Sequence, residues 1–346
     1  MIAYETTTPG APLSPVERET PRPVGTQVLL RTVACGVCHS DIHLHDGAFA
    51  LGDGKTLDVA QSGQVLGHEI FGEVVATGPD AQGVNVGDRR VVYPWIGCGQ
   101  CAACQRGDEH LCTPGQALGI VRPGGFADHV LVPHGRYLFA KGNVPDALAA
   151  TYACSGLTAY SALKKLGEPG ALDRVVIIGA GGVGMMAIQI ALSVFGIQPI
   201  VVDIDEQKLA AVRQLGVETT FNSSDPQTAK VLRKSCGGAY AVIDFVGAEA
   251  SVNYGLGCLR KGGRLLIVGL YGGSLTLPIP FIPMNARIIQ GSYVGKLQEM
   301  DELMGLVRDG RIAPIEIHER PLAEVSEALT DLKAGRVKGR QVLMNY

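Results

Sequence analysis

Nine cysteines are spread unevenly over the 346 residues, and four of them, Cys98, Cys101, Cys104 and Cys112, crowd together as C-x2-C-x2-C-x7-C. Thiolates at such short intervals let one loop surround a tetrahedral ion. Zinc prefers that arrangement in a structural site, where four protein ligands leave no open position. Such an ion would fix a loop that has no apolar core of its own. An iron–sulfur cluster uses comparable spacings, but no Cys-Pro ending follows Cys112. With Arg106 its only clear cation, the loop also lacks the charge of a nucleic-acid finger. Further metal-type side chains stand far apart: Cys35 and Cys38 in C-G-V-C-H-S-D, His68 in G-H-E, and Cys154 in C-S-G-L-T-A-Y. Three protein ligands around an open position are the pattern of a catalytic zinc. Spacing alone does not join these residues, and each by itself also reads as a buried thiol or a satisfied histidine.

A different chemistry is written in Gly179-Ala180-Gly181-Gly182-Val183-Gly184, a G-x-G-x-x-G. It follows a short apolar run, opens an apolar helix, and is followed by Asp203 at the end of the next apolar run. That context makes it a dinucleotide fingerprint rather than an ordinary turn. Gly179 permits the tight turn, Gly181 lets the backbone approach a pyrophosphate, and Gly184 allows close helix–strand packing. A carboxylate at Asp203 would accept the adenosine-ribose hydroxyls and repel a 2′-phosphate, so NAD is expected over NADP.

These residues must be positioned by two kinds of structure. Up to about residue 150 the chain reads as β: Gln27–Ala34, Ile70–Ala76, Arg89–Val92 and His129–Val132 are β-branched runs punctuated by Gly, Pro, Asp and Asn. Many short strands of this kind suggest a barrel- or sandwich-like fold. The pattern changes near Pro145. Asp146–Leu166 reads as one helix, and Arg174–Ile178, Pro199–Asp203, Ala241–Phe245 and Arg264–Val268 then alternate with helical stretches at Glu206–Leu215 and Ala250–Cys258. Strand–helix alternation of this kind makes a doubly wound parallel sheet, so the fold class is α/β with a β-rich first part.

Bulk properties exclude several classes. Net charge is −3 with 18% charged residues and no basic tract, which argues against a nucleic-acid partner. The first residues, MIAYETTTPGAP, lack the pattern of a signal peptide. The most apolar helical stretch, Val183 to Phe195, is too short to span a bilayer. An odd cysteine count argues against a disulfide scaffold. The reading is a cytoplasmic, two-domain protein.

Taken in order, C-G-V-C-H-S-D, G-H-E-I-F-G-E-V, the four-Cys loop, C-S-G-L-T-A-Y, G-A-G-G-V-G and G-S-Y-V-G resemble the zinc-containing medium-chain alcohol dehydrogenases over essentially the whole chain. The resemblance implies a GroES-like β-barrel catalytic domain at 1–150 and 286–346 that holds both zinc sites. A Rossmann NAD-binding domain would occupy 151–285. It implies Cys38, His68 and Cys154 as ligands of a catalytic zinc, with Cys35 a small core residue. Asp41 would orient His68, and Glu69 is a carboxylate near the metal. Ser40 matches the hydroxyl that takes the substrate proton and His43 the outer member of that relay. On the cofactor side His39 matches a pyrophosphate contact, Thr158 a position beside the nicotinamide, and Lys208 a ribose contact. Val268 and Leu270 match the packing of the nicotinamide ring, and Arg340 a pyrophosphate clamp. For Lys208 and Arg340 a solvated surface cation is the rival reading. Trp95, the single tryptophan, matches a substrate-pocket position and reads equally as a core anchor.

The activity so implied is reversible hydride transfer between a primary or secondary alcohol, or its aldehyde or ketone, and NAD. Zinc would act as Lewis acid, and the proton would leave by way of Ser40, the nicotinamide ribose and His43. The family favours dimers and tetramers. An extra stretch near Leu51–Gly63 lies at the pocket rim, so substrate size does not transfer from the family. A zinc-free quinone or enone reductase would lack both metal constellations. A polyol dehydrogenase often has a carboxylate where Cys154 stands, and a non-enzymatic NAD-binding protein would have no need of Ser40, His43 and an open zinc.

Overall fold

The computed structural model describes residues 1–346. The chain divides into two compact units: 1–48 with 58–157 and 295–346, and 49–57 with 158–294.

The first unit is built on a mixed sheet whose strands run in the order Ile317–Pro321, Arg340–Met344, Val28–Gly36, Glu69–Thr77, Arg89–Val92 and Leu138–Ala140, with His129–Val132 also paired to Val28–Gly36. Val28–Gly36 is its spine and is buried along nearly its whole length. Its neighbours lie antiparallel, with Gly36 opposite both Glu69 and Val342. Tyr93, Phe71, Phe126, Leu30 and Leu66 are fully buried in this unit's core.

The second unit carries a six-stranded, all-parallel sheet. Its order is Thr219–Asn222, Ile200–Asp203, Val175–Ile178, Ala239–Asp244, Leu259–Ile267 and Ile288–Gly291. Numbered along the chain that is 3-2-1-4-5-6, the Rossmann order, which places ligands beyond the carboxyl ends of the strands where the order reverses. Val175–Ile178 and Ile200–Asp203 are buried at every position, as expected for strands covered on both faces.

The structure departs from the sequence expectations in three places. Asp146–Leu166 is not one helix. An α-helix over Asp146–Thr151 passes into a π-helical turn, Tyr152–Gly156, before the helix Leu157–Lys164. The boundaries expected at 150/151 and 285/286 fall instead at 157/158 and 294/295. The π turn stays with the first unit, while Ile288–Gly291 pairs with Leu259–Ile267 and so stays with the second. The stretch expected as a rim insertion forms a hairpin, Ala48–Gly52 with Lys55–Asp58. Its two central residues, Asp53 and Gly54, have φ of 51° and 72°, the signs that a two-residue I′ turn requires. No helix is long and apolar enough to cross a membrane.

Candidate metal and cofactor sites

Cys38 lies two residues past the spine strand Val28–Gly36 and is the N-cap of the helix His39–Asp46. Asp41, the third residue of that helix, is fully buried and turns its carboxylate back to accept from the Cys38 backbone N–H at 2.9 Å. The other carboxylate oxygen accepts from Gly67 N at 3.3 Å and from His68 Nδ1 at 3.2 Å. A carboxylate only accepts, so the ring proton sits on Nδ1 and Nε2 keeps its lone pair. His68 is fully buried, and its Nε2 has no hydrogen-bond partner. The Cys38, His68 and Cys154 ligand atoms all lie within 4.8 Å of one another. An orphaned imidazole nitrogen facing two buried thiols fits a zinc ion, with Asp41 as the outer partner such an imidazole ordinarily has.

Cys154 is delivered by the π turn, a distortion found mostly at functional sites. Gly156 is required there because a Cβ would stand 2.6 Å from the Tyr152 ring. Trp95 pins the same turn by donating its indole N–H to Ala153 O at 3.2 Å, while its ring lies 5.4 Å from that of His68. It is 4% exposed, so it anchors the core and flanks the metal site at once. The hydrogen bond from Cys154 holds the Cys38 thiol well below its ordinary value against burial, with His68 adding to the effect. Cys154 moves up in response to that bond and to its burial. Burial pulls His68 down, but Asp41 outweighs it and the imidazole is raised. A bound cation favours deprotonation of both thiols and a neutral His68 whose Nε2 lone pair is free.

Glu69 lies directly behind this cluster and is fully buried. Its carboxylate accepts from Ser155 N at 3.2 Å and pairs with the Arg340 guanidinium. Burial pushes Glu69 up to about 7, opposed by Arg340. Gly36, between the two strands, leaves the room, since a Cβ there would collide with the Glu69 carboxylate. Arg340 was expected as a pyrophosphate clamp or a surface cation. It is 4% exposed and its charge is spent on Glu69, so the surface reading is wrong. Ser40 and His43 are both half-buried and three residues apart on one helix face, and Ser40 Oγ lies 3.9 Å from Cys38 Sγ. His39, at the helix start, is exposed.

The ligand atoms of Cys98, Cys101, Cys104 and Cys112 also lie within 4.8 Å of one another. Backbone N–H groups of Gln100 and Cys101 point at Cys98 Sγ, at 3.5 and 3.4 Å, and bring that thiol down to about 6. The short helix in this loop, Ala102–Gln105, buries no residue, so apolar packing does not hold it. Four converging thiols suit a closed zinc site that does. The loop is tied to the unit by buried Glu109, which accepts from Gly97 N and from Tyr137 Oη at 2.7 Å, and by a Lys296–Asp108 ion pair at 2.8 Å.

In the second unit the glycine turn joins Val175–Ile178 to the helix Gly182–Ser193. Gly179 has φ +92°, and a Cβ on Gly184 would collide with Gly179 O. Both glycines are thus required by the protein itself. Gly181 is not, because a Cβ there would meet nothing within 4 Å. The helix begins at Gly182 with no side-chain cap, and Val183 and Gly184 follow in its first turn. Its leading N–H groups and the open space before Gly181 fit an incoming pyrophosphate. Asp203 closes the mouth of this turn, accepting from Ala180 N at 2.7 Å and Asp205 N at 2.9 Å, with lone pairs left for a ribose. Lys208 is half-buried in the first turn of the next helix, whose N-cap is Asp205. The Thr158 hydroxyl is buried without a partner. Val268 and Leu270 lie just past Leu259–Ile267, the first half-buried and the second 47% exposed.

Sequence reasoning missed Asp244. It ends the strand Ala239–Asp244 as Asp203 ends its own, and accepts from Val246 N, Gly247 N and the Ser251 hydroxyl. The available signal was the same one that picked out Asp203, a carboxylate closing an apolar strand.

Because the four-thiol loop has no core of its own, Cys98→Ser should lower the thermal midpoint by several degrees and leave about one zinc per chain instead of two. Calorimetry with metal analysis by mass spectrometry reads both. An unchanged midpoint with two zincs retained would refute a stabilising metal there.

Two family models match the chain: "Alcohol dehydrogenase GroES-like domain" over residues 25–143 and "Zinc-binding dehydrogenase" over 182–309. An NAD-dependent alcohol dehydrogenase of Sulfurisphaera tokodaii is 37% identical over 97% of both chains. One of Saccharolobus solfataricus is 35% identical over the same share. Among solved structures, the alcohol dehydrogenase of Aeropyrum pernix superposes with a TM-score of 0.87 at 30% identity, covering 99% of this chain and 100% of its own. A thiol–imidazole cluster, a four-thiol cluster and a glycine turn of Rossmann type thus coincide with relatives matched along nearly their whole length, and the chain belongs to the zinc-containing medium-chain alcohol dehydrogenases.

Proposed function

We propose that this chain catalyses reversible hydride transfer between a primary or secondary alcohol and NAD, with Cys38, His68 and Cys154 holding the catalytic zinc. The buried, partnerless His68 Nε2 facing two thiols carries this reading. When bound, zinc supplies Lewis acidity toward the alcohol oxygen and NAD supplies the hydride acceptor.

The chain's own residues do the rest. Asp41 keeps the proton on His68 Nδ1. Arg340 balances the Glu69 charge behind the thiols, so the carboxylate adds to the site without an unpaired buried charge. Ser40 Oγ is both donor and acceptor and takes the alcohol proton. His43, on the same helix face, hands it to water. Asp203 accepts the ribose hydroxyls and repels a 2′-phosphate. Thr158, Val268 and Leu270 would flank the nicotinamide, and His39 and Lys208 would steady the phosphate and ribose. A thiol at Cys154 favours an alcohol dehydrogenase over a polyol type. Nine cysteines, none in a disulfide, favour a reducing compartment and hence the cytoplasm.

The same reading includes a second copy of the chain. Ile288–Gly291 is an edge strand of the parallel sheet, and Ile288 and Ile289 on it are exposed. Ile279, Phe281, Ile282 and Met284 are exposed just before it. An open edge beside an apolar patch is a pairing surface, and two copies can join it to itself about a two-fold axis.

Three outcomes follow. In an assay of NADH absorbance over a panel of alcohols, Ser40→Ala should cut turnover by about 10²–10⁴-fold with zinc content and NADH binding intact; near-normal turnover would mean the proton leaves by another route. Asp203→Ser should narrow the preference for NAD over NADP in kcat/KM, and equal wild-type efficiency with both would refute the role of Asp203. Light scattering should give a dimer or a multiple of one, and Ile288→Lys should shift it toward monomer. A wild-type monomer at micromolar concentration would rule out the shared edge.

A further inference from the structure

Residues 49–57 stand apart from their sequence neighbours: the chain up to Ala48 and from Asp58 groups with the first unit, but Phe49–Leu57 groups with the second. The hairpin they form is largely exposed, including Ala50, Leu51 and every residue from Asp53 to Asp58. A lone two-stranded hairpin is marginal at best in water, so this one depends on its docking.

The docking is backbone against backbone. Gly273 N donates to Ala50 O at 3.2 Å. Gly272, at φ +120°, lies so close that a Cβ would stand 2.6 Å from Ala50 O. Gly52, at φ +83°, is equally tight, with its Cβ position 2.9 Å from Ser274 N and from Ser274 Cβ. The opposite side of the same loop is held as well. Tyr271 N donates to Val246 O at 3.2 Å and Gly272 N to Gly247 O at 3.0 Å. Val246 and Gly247 are themselves fixed by the Asp244 carboxylate, while the Asp244 carbonyl accepts from Val268 N at 2.9 Å and Gly269 N at 3.1 Å. The loop 268–274 is thus gripped between a turn organised by Asp244 and the inserted hairpin.

We propose that the 49–57 hairpin is a positioning element for the nicotinamide end of the cofactor site. It holds the conformation of the loop that bears Val268 and Leu270, and it rests on the reading above that this loop packs against the nicotinamide. The loop contains Gly269, Gly272 and Gly273, and glycine has the most backbone freedom to lose on ordering. A loop already ordered by the hairpin spares that loss when cofactor binds.

The test compares NADH with ADP-ribose, which shares every part of the cofactor except the nicotinamide ring. Dissociation constants are measured by titration calorimetry on the zinc-loaded full chain. One variant replaces Phe49–Leu57 by Gly-Gly, since strand pairing brings the hairpin ends together. A second, Gly52→Ala, disturbs the docking along with the strain of a positive φ. Gly54→Ala is the control: its φ of +72° carries the same backbone strain, but a Cβ there meets nothing within 4 Å. Both test variants should weaken NADH about tenfold and leave ADP-ribose within about twofold, while Gly54→Ala changes neither. Unchanged NADH binding in Gly52→Ala and in a folded hairpin deletion overturns the proposal. Equal weakening of both ligands also overturns it, because that marks general destabilisation of the unit. If the wild type binds NADH no better than ADP-ribose, the placement of the nicotinamide against this loop fails first and the proposal with it.

Discussion

A carboxylate removed from water must be satisfied by donors, and the candidate metal site at Cys38, His68 and Cys154 is organised around how Asp41 meets that demand. Its donors are the backbone N–H of one candidate ligand, Cys38, the ring N–H of another, His68, and the N–H of the intervening Gly67. The helix that begins after Cys38 supplies Asp41 at its third position. One turn of helix therefore presents a thiol and also sets the tautomer of an imidazole that lies far along the chain. Glu69 and Arg340 extend the same logic by one layer, and Gly36 makes their pairing possible by having no side chain.

The two units use opposite means to meet charge. In the first, buried side chains do the work around Cys38, where Asp41 is paired with His68 and Glu69 with Arg340. In the second, the backbone does it: a helix start without a side-chain cap, a glycine turn, and two carboxylates, Asp203 and Asp244, that end parallel strands and hold the following turns through main-chain N–H groups. A diphosphate is met by peptide dipoles, whereas a metal ion needs thiolates and a correctly protonated imidazole. The burial pattern follows, with full burial at His68 and Glu69 and an open approach at Gly181.

Much of this was legible in the residues because it is local. The four-Cys loop and the G-x-G-x-x-G turn each lie within fifteen residues, so their spacing alone implies their geometry. The strands Arg89–Val92 and His129–Val132 match the expected runs end to end, since β-branched content and flanking turn residues are short-range signals. The Asp53-Gly54 turn was equally local, yet it was passed over because the segment was judged by its length against relatives and not by its turn chemistry.

Other features belong to the tertiary structure. Cys38, His68 and Cys154 come from a helix start, a strand start and a π turn. The residues alone left them separate, and only the resemblance grouped them before folding brought their ligand atoms together. The π turn itself escaped a propensity reading because it sits inside the longer helical run Asp146–Leu166, and its backbone is held by Trp95 and Glu69, both distant in sequence. The resemblance made Arg340 a pyrophosphate clamp, and only strand pairing across Gly36 makes it the partner of Glu69. The hairpin at 49–57 belongs to the second unit by contacts that no short-range pattern encodes. Sequence by itself determined the chemistry available and the turns that hold it, because those depend on neighbours along the chain. Which charges meet in the dark interior was decided by the fold, because burial and partnership are set between residues that are distant in sequence.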